Sequence, residues 1–353
     1  VLNDGTVAPP TPGGKASIDA DVLRRARHPI ASKILEVRKL IKTKDTFIEG
    51  HILGHHVDNF VHCNFNQTRS DNNLGTGTGR LSVNGPALQQ IHKRDVLIAP
   101  IVRSLFLPDE SDFVWVCNDW AQMDFRVFAH YVNDKRILEV YNTNPDADFH
   151  QMAADLTGLP RSPRFSGDAN AKQINLGLVF GMGQGRLAAE MKLPYSVRYD
   201  SRSRKEIMIP GPEAEAVFAK YHAAIPGVRE LLQNAAAKAS SVGFVRTILG
   251  RRIRFPKGHG VHKAGGLIFQ GTAADALKCK LIELHSFLKG SGARLVLNVH
   301  DEFDISSPPG AEKLLASVNE LLTNFDGKST PFKLRVPVRT DQGTGANWWE
   351  ASK

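Results

Sequence analysis

Two short apolar runs lie far apart in the chain, and each leads into an acidic residue. This pairing limits the fold more than any other feature of the sequence. The first run is Phe113-Val114-Trp115-Val116-Cys117, which passes through Asn118 into Asp119. The second is Leu295-Val296-Leu297-Asn298-Val299, followed by His300-Asp301-Glu302 and resuming as Phe303-Asp304-Ile305. Aliphatic and aromatic runs of this length read as strands, and the second reads as a tight hairpin with charged residues at its turn. If the two strands are neighbours, Asp119 and Asp301 meet at one sheet edge. Burial beside each other disfavours ionising both unless a cation lies between them. Hard oxygen ligands suit Mg²⁺, and a two-metal site can activate an attacking oxygen while stabilising a leaving one. Turn or cap residues would look the same, and spacing taken alone favours that simpler account.

Helical spacing dominates the rest. Residues 19–48 carry Val22, Leu23, Ile30, Ile34, Leu35, Leu40 and Ile41 as a loose apolar stripe. Residues 272–289 carry Leu277, Leu281, Leu284 and Leu288, with Thr272 and Asp275 expected as the N-terminal cap and Gly290 as the stop. Residues 311–325 repeat the pattern with Leu314, Leu315, Val318, Leu321, Leu322 and Phe325. Helices between carboxylate-bearing strands imply an α+β fold. Residues 1–18 read as a loop, and the Asn-, Gly- and Thr-rich stretch 64–90 is expected to present backbone and polar groups to a ligand.

Within 168–182, Lys172, Leu176 and Phe180 fall on one helical face, and Gly177 and Gly181 permit close approach on another. A lysine above an apolar and an aromatic residue could hold a triphosphate while a base pair stacks below. A core helix with a snorkelling lysine has the same spacing. The segment GFVRTILGRRIRFP, from Gly243, concentrates arginines that suit backbone phosphates or a solvated basic face.

Composition narrows the partners. Lys and Arg number 45 against 36 Asp and Glu, a net charge of +9 that suits a polyanion. No run of 18 apolar residues offers a membrane span, and the opening VLNDGTVAPPTPGG is not a signal peptide. Cys63, Cys117 and Cys279 are scattered, which argues against a disulfide framework or a thiolate zinc site and for a reducing compartment. With no initiator Met, the chain is expected to be a fragment or processed product.

Taken in order, these segments resemble family A DNA polymerases, the bacterial polymerase I and phage group, from about Thr11 to Trp349. TPGG and the helix ending EVRKLIKTKDTF resemble the family's thumb base, where Arg38 and Lys42 match primer-template contacts. GTGRLSVNGPALQQI resembles the segment that holds the primer end, with Arg80 in the minor-groove position. NDWAQMDFRVFAHY is similar to motif A, making Asp119 and the Trp120 backbone carbonyl metal ligands and placing Gln122 and Asp124 near the nucleotide. DFHQMAA puts His150 beside the triphosphate. NAKQINLGLVFGMG is similar to motif B, with Lys172, Leu176 and Phe180 on the incoming nucleotide. TILGRR places Arg251 and Arg252 near DNA, FQGTAAD places Gln270 near the primer, and NWWE fits the family's ending. NVHDEF is similar to motif C, with Asp301 the second metal ligand, Glu302 a catalytic neighbour and His300 near DNA.

The resemblance implies a right-hand α+β fold with an antiparallel palm sheet, helical fingers and a partial thumb. The implied segments are 1–60 thumb base, 61–131 palm, 132–266 fingers and 267–353 palm. It implies DNA synthesis from dNTPs on a primer-template with two Mg²⁺ ions, Mn²⁺ being a substitute. A single-subunit RNA polymerase or a polymerase with relaxed sugar choice is the alternative. No acidic exonuclease motifs are present, so the chain is expected not to proofread. Upstream exonuclease, helicase or primase domains or a processivity factor are left open. The implied location is a phage host's cytoplasm or an organelle.

Four positions depart from the family pattern: Asp124 for Glu, Phe180 for Tyr, Leu176 for Phe or Tyr, and Asp168 for Arg. The first two remove a carboxylate–hydroxyl pair at the sugar, so a roomier sugar pocket is expected. Leu176 predicts poor use of dideoxynucleotides. Asp168 inverts a charge near the triphosphate, for which Arg161 or Arg164 could substitute.

Overall fold

The computed structural model describes residues 8–11, 13–70, 74–91, 93, 95–162, 169–201, 205–225 and 227–353. The chain forms two compact units. One comprises residues 1–66, 83–115 and 344–353; the other comprises 67–82 and 116–343. The second unit thus holds most of the expected palm and fingers together.

In the first unit the expected helix over 19–48 is broken and extended. It runs as Ala20–Ala26 and Pro29–Lys42, then continues as a π-helical Thr43–Leu53. The break falls where His28 Nδ1 accepts from Ile30 N at 3.1 Å, capping a helix that opens on Pro29. The apolar stripe divides: Val22 and Leu23 are buried, whereas Ile30, Ile34, Leu40 and Ile41 are exposed, and Ala31 is the buried residue of the Pro29–Lys42 helix. Burial centres instead on Trp348, which stacks near Trp115, meets Phe106 edge-on and carries the Arg103 guanidinium 3.9 Å above its ring.

The second unit holds most of a four-stranded sheet whose order is Arg294–Val299, Glu302–Ser307, Val114–Trp120, Thr340–Gly345. The first two strands form the expected antiparallel hairpin, with Val299 opposite Glu302, so His300 and Asp301 alone make the turn. The Val114–Trp120 strand runs three residues beyond the apolar run that ends at Cys117, so Asp119 is a strand residue. Helices follow at Met123–Val132, Phe149–Thr157, Ala171–Val179, Val228–Val242, Ala264–Phe287 and Glu312–Thr323.

The Ala264–Phe287 helix corrects the cap expected at Thr272. It starts eight residues earlier and includes Gly265 and Gly266, poor helix formers retained for packing. A Cβ on Gly265 would lie 2.4 Å from Leu232 Cδ2, and one on Gly266 would lie 2.8 Å from Phe180 Cδ1. Thr272 is fully buried inside the helix, where its hydroxyl bonds Tyr131 Oη at 2.8 Å and accepts from Ile248 N at 3.2 Å.

Candidate active site

The strand bearing Asp119 lies beside the hairpin bearing Asp301. Trp120 N–H donates to the Asp301 carbonyl at 3.2 Å, which ties the two acidic positions together through backbone. The Trp120 ring packs edge-on against Phe303 and donates from Nε1 to the Leu322 carbonyl at 3.0 Å, which fixes that junction. Beyond it, Gln122 takes a left-handed conformation (φ 53°) and starts the Met123–Val132 helix, with Asp124 in its first turn. Gln122 Oε1 is buried and has no hydrogen-bond partner among the described residues.

Charge is crowded here. Burial, then the neighbouring Asp124 and Asp119, push the Asp301 carboxyl up to about 7, against the downward pull of Arg80. Arg80 Nη2 donates to both oxygens of Asp124 at 2.8 Å. Although burial works against its charge, Asp124 and Asp301 hold the guanidinium above its ordinary range. His300, exposed at the turn, is held below its usual range by desolvation and by Arg80.

Glu302, expected beside Asp301, is instead a buried strand residue. Its carboxylate, Cys117 Sγ and an Asp304 oxygen lie within 4.8 Å of one another, and the thiol donates to Asp304 Oδ1 at 3.0 Å. Glu302 therefore belongs to a polar cluster inside the sheet. Neither Cys117 nor Asp304 stood out in the sequence, because each sits within an apolar strand pattern.

The helix bearing Lys172 spans Ala171–Val179, shorter than the expected 168–182. Asn170 caps it by accepting from Gln173 N at 2.9 Å. Leu176 and Lys172 are half-buried on this helix, and Phe180 is the residue that ends it. Arg161 pairs with Asp148, whose other oxygen caps the Phe149–Thr157 helix. Asp168 and Arg164 lie outside the described residues.

His150 is 2% exposed and belongs to a network the sequence did not reveal. Tyr221 Oη donates to Asn175 Oδ1 at 2.5 Å, while Asn175 Nδ2 bonds the Phe149 carbonyl and His150 Nδ1, both at 3.0 Å. These partners fix the amide's orientation. His150 Nδ1 must then be the acceptor, which places the proton of the neutral ring on Nε2. Desolvation, then the nearby Lys172, lower the His150 pKa to about 4, so the ring is neutral near pH 7. The available signal was Asn175 itself, an amide set between the apolar Ile174 and Leu176.

The expected DNA contacts divide. Arg251 turns inward: its guanidinium bonds Asp275, the Gly271 carbonyl and the Thr78 carbonyl. A Cβ on Gly79 would lie 2.6 Å from the Arg251 Cζ, which explains a glycine there. Arg251 thus braces the Thr78 and Gly271 backbone. Arg252, Arg246 and Arg254 are exposed on the neighbouring two-stranded ribbon, with Arg252 and Arg246 over the Phe244 ring at 4.8 and 5.3 Å. Gln270 is half-buried on the Ala264–Phe287 helix. In the other unit, Arg38 and Lys42 are exposed on the Pro29–Lys42 helix, with Arg38 Nη1 donating to the Ile18 carbonyl at 2.5 Å.

This architecture is that of a polymerase domain. The POL domain of Pol1 from M. smegmatis, solved in complex with DNA primer-template and dNTP, matches with a TM-score of 0.77 at 26% identity, covering 100% of this chain and 60% of that one. The sequence model of DNA polymerase family A matches residues 6–350, and the chain belongs to that family. It is 46% identical over 364 residues to DNA polymerase DpoZ of Salmonella phage PMBT28, covering 99% of this chain and 57% of that protein. DNA polymerase DpoZ of Acinetobacter phage SH-Ab 15497 is also 46% identical, over 100% of this chain and 58% of its own length. The thermostable DNA polymerase I of Thermus aquaticus is 32% identical, over 96% of this chain and 39% of its own length. The chain thus spans less than two thirds of each relative. Membership of the family implies use of divalent metal. Among the described residues, no helix is long and apolar enough to cross a membrane.

Proposed function

We propose that this chain catalyses template-directed addition of deoxynucleotides to a primer 3′ end, releasing pyrophosphate. The supporting observation is the backbone tie between Trp120 and the Asp301 turn, beside the Asp119 strand. Crowded carboxylates whose ionisation is suppressed by burial and by one another form the donor set a hard divalent cation relieves, so the residues fit the metal. Asp119, Asp301 and the Trp120 carbonyl would hold two Mg²⁺ ions. Bound there, the ions would favour ionisation of the primer hydroxyl and shield charge on the phosphates.

The chain's own residues supply the rest. Lys172 would stabilise charge developing on the leaving pyrophosphate. His150, neutral and with its proton on Nε2, would serve as a hydrogen-bond donor to the triphosphate. The buried network around it restricts it to small movements. Gln122, Leu176 and Phe180 would border the nucleotide, and Gln270, His300, Arg252, Arg38 and Lys42 would meet the primer-template. Base pairing, tested by closure of residues 132–266 as fingers, would supply most sequence choice. Further domains of the longer relatives would act with this one, in the cytoplasm of a phage host.

Extension of a labelled primer with Mg²⁺, against a chelator control and Asp301→Ala, tests the proposal. Extension by wild type alone supports it. Equal extension by Asp301→Ala would sink it. Leu176 adds a narrower outcome: chain termination by dideoxynucleotides should be inefficient, and a Leu176→Tyr variant should terminate more readily.

A further inference from the structure

We propose that the ribbon of strands Tyr195–Asp200 and Lys205–Pro210 binds the single-stranded template ahead of the primer end; this rests on the polymerase reading above, which leaves that stretch of template unpaired. None of the motifs that carry the family resemblance covers residues 195–210. The two strands pair antiparallel, with Val197 opposite Met208 and Tyr199 opposite Glu206, and form a sheet of their own. Alternation puts Tyr195, Val197 and Tyr199 on one face, where they are 44%, 53% and 64% exposed. The two tyrosines are thus about 13 Å apart along the strand. Ser196 and Arg198 stand on the other face and are exposed as well.

Exposed rings interleaved with cations suit an unpaired strand, because bases stack on the aromatic faces while basic groups track the phosphates. Residues 195–210 carry Arg198, Arg202, Arg204 and Lys205 against Asp200 and Glu206, a surplus of two positive charges that complements a polyanion. Arg202 and Arg204 lie outside the described residues, so the site is built from Tyr195, Arg198 and Tyr199. A duplex keeps the faces of its bases covered, so stacking on these rings selects unpaired over paired template.

The ribbon is rooted beside the proposed nucleotide site. Gln173, next to Lys172, donates from Nε2 to Glu190 Oε2 at 2.9 Å, and Arg186 pairs with the other oxygen of Glu190. The first of these bonds joins the helix bearing Lys172 to the Gln184–Glu190 helix. A Cβ on Gly185 would collide with the Met208 carbonyl, so the Gln184–Glu190 helix lies directly against the second strand of the ribbon. The Gly211 N–H closes the base by donating to the Pro194 carbonyl at 3.0 Å. One framework therefore carries both the ribbon and Lys172.

The test is fluorescence anisotropy on a primer-template with a long 5′ template overhang, on the same duplex with a one-nucleotide overhang, and on an unpaired oligonucleotide. Wild type should prefer the long overhang. Tyr195→Ala/Tyr199→Ala should lose about tenfold in affinity for it and for the unpaired strand, and less than about twofold for the short overhang. Tyr199→Phe, which keeps the ring, should bind like wild type. Arg198→Ala should flatten the log–log salt dependence on the unpaired strand by about 0.7. Single-nucleotide extension on the short overhang should be unchanged in every variant. Equal losses on both templates, or none, would overturn the proposal. So would a concentration-dependent dimer in sedimentation that the double variant abolishes while DNA affinity stays, since the exposed Val197, Ile207 and Ile209 would then serve a second copy of this chain. If the double variant misfolds by circular dichroism, Tyr199→Ala and Arg198→Ala decide on the same comparison. Wild type that binds the overhang but extends no primer would remove the polymerase reading and leave the ribbon's affinity standing.

Discussion

At the sheet edge, Asp301 shares its surroundings with Asp119 and Asp124, and Arg80 is the guanidinium that faces them. Around the helix bearing Lys172, by contrast, Tyr221, Asn175 and His150 satisfy one another through hydrogen bonds and carry no charge. Both regions belong to the same compact unit, the first half-buried and the second buried, yet their electrostatics differ. The first keeps like charges together. The second is complete in the protein alone. On the proposed reading, the groups that would bind ions repel one another in the protein alone, whereas the groups that would orient a donor are already locked by hydrogen bonds.

The largest expected effect tests the first region. Asp301→Ala should reduce primer extension by about a thousandfold or more, read as single-turnover rates in Mg²⁺. Extension within tenfold of wild type would end the contrast. Lys172→Ala should cost about a hundredfold in kcat/KM for the incoming nucleotide, the scale of removing one preorganised donor. The locked network comes next. Asn175→Leu strands both Tyr221 Oη and His150 Nδ1, and should destabilise the protein by about 1–3 kcal/mol in denaturant unfolding. It should also raise KM for dNTP more than it lowers kcat; a stability loss with unchanged kinetics would confine the network to folding.

Acid–base behaviour separates the regions by sign. The folded Asp301 carboxyl titrates near 7 rather than in the ordinary carboxylate range. The native state therefore binds the extra proton, and metal-free stability should fall as pH rises from about 4 to 7. Asp301→Asn should remove that decline. His150 is shifted oppositely, from 6.5 to about 4, so it favours folding above 6.5 and that benefit is lost as pH falls toward 4. Melting temperatures across this range, in chelator, should show opposing slopes of the order of 5 °C. Smallest of all, Arg252→Ala should weaken DNA binding only a few-fold and flatten its salt dependence by about one unit of log–log slope.

How much of this was legible follows from the kind of signal involved. The hairpin around Asp301 was readable because apolar runs on both sides of a short charged gap leave the chain few options. The order of the motifs identified the family, a conclusion the sequence model for residues 6–350 bears out. Boundaries set by packing were less visible. Thr272 and Asp275 look like a cap, but Gly265 and Gly266 fit so closely against Leu232 and Phe180 that the helix extends back through them. Arg251 and Arg252 are adjacent and chemically identical, yet one is turned inward by Asp275 and its neighbour is exposed. No local pattern distinguishes them, because the deciding partner lies elsewhere in the chain. The stripe from Ile30 to Ile41 had the right period but is exposed, since period alone cannot say whether a face is covered.

The turn at His300 and Asp301 has one more consequence. Val299 faces Glu302, so the loop has no slack, and His300 already occupies the left-handed region at φ 57°. Lengthening it by a single residue would rotate Asp301 away from Trp120 and break the hairpin's pairing at its tip. Insertions and deletions should therefore be far less tolerable at this spot than in surface loops of the same chain, making it a fixed point around which the rest of the molecule can vary.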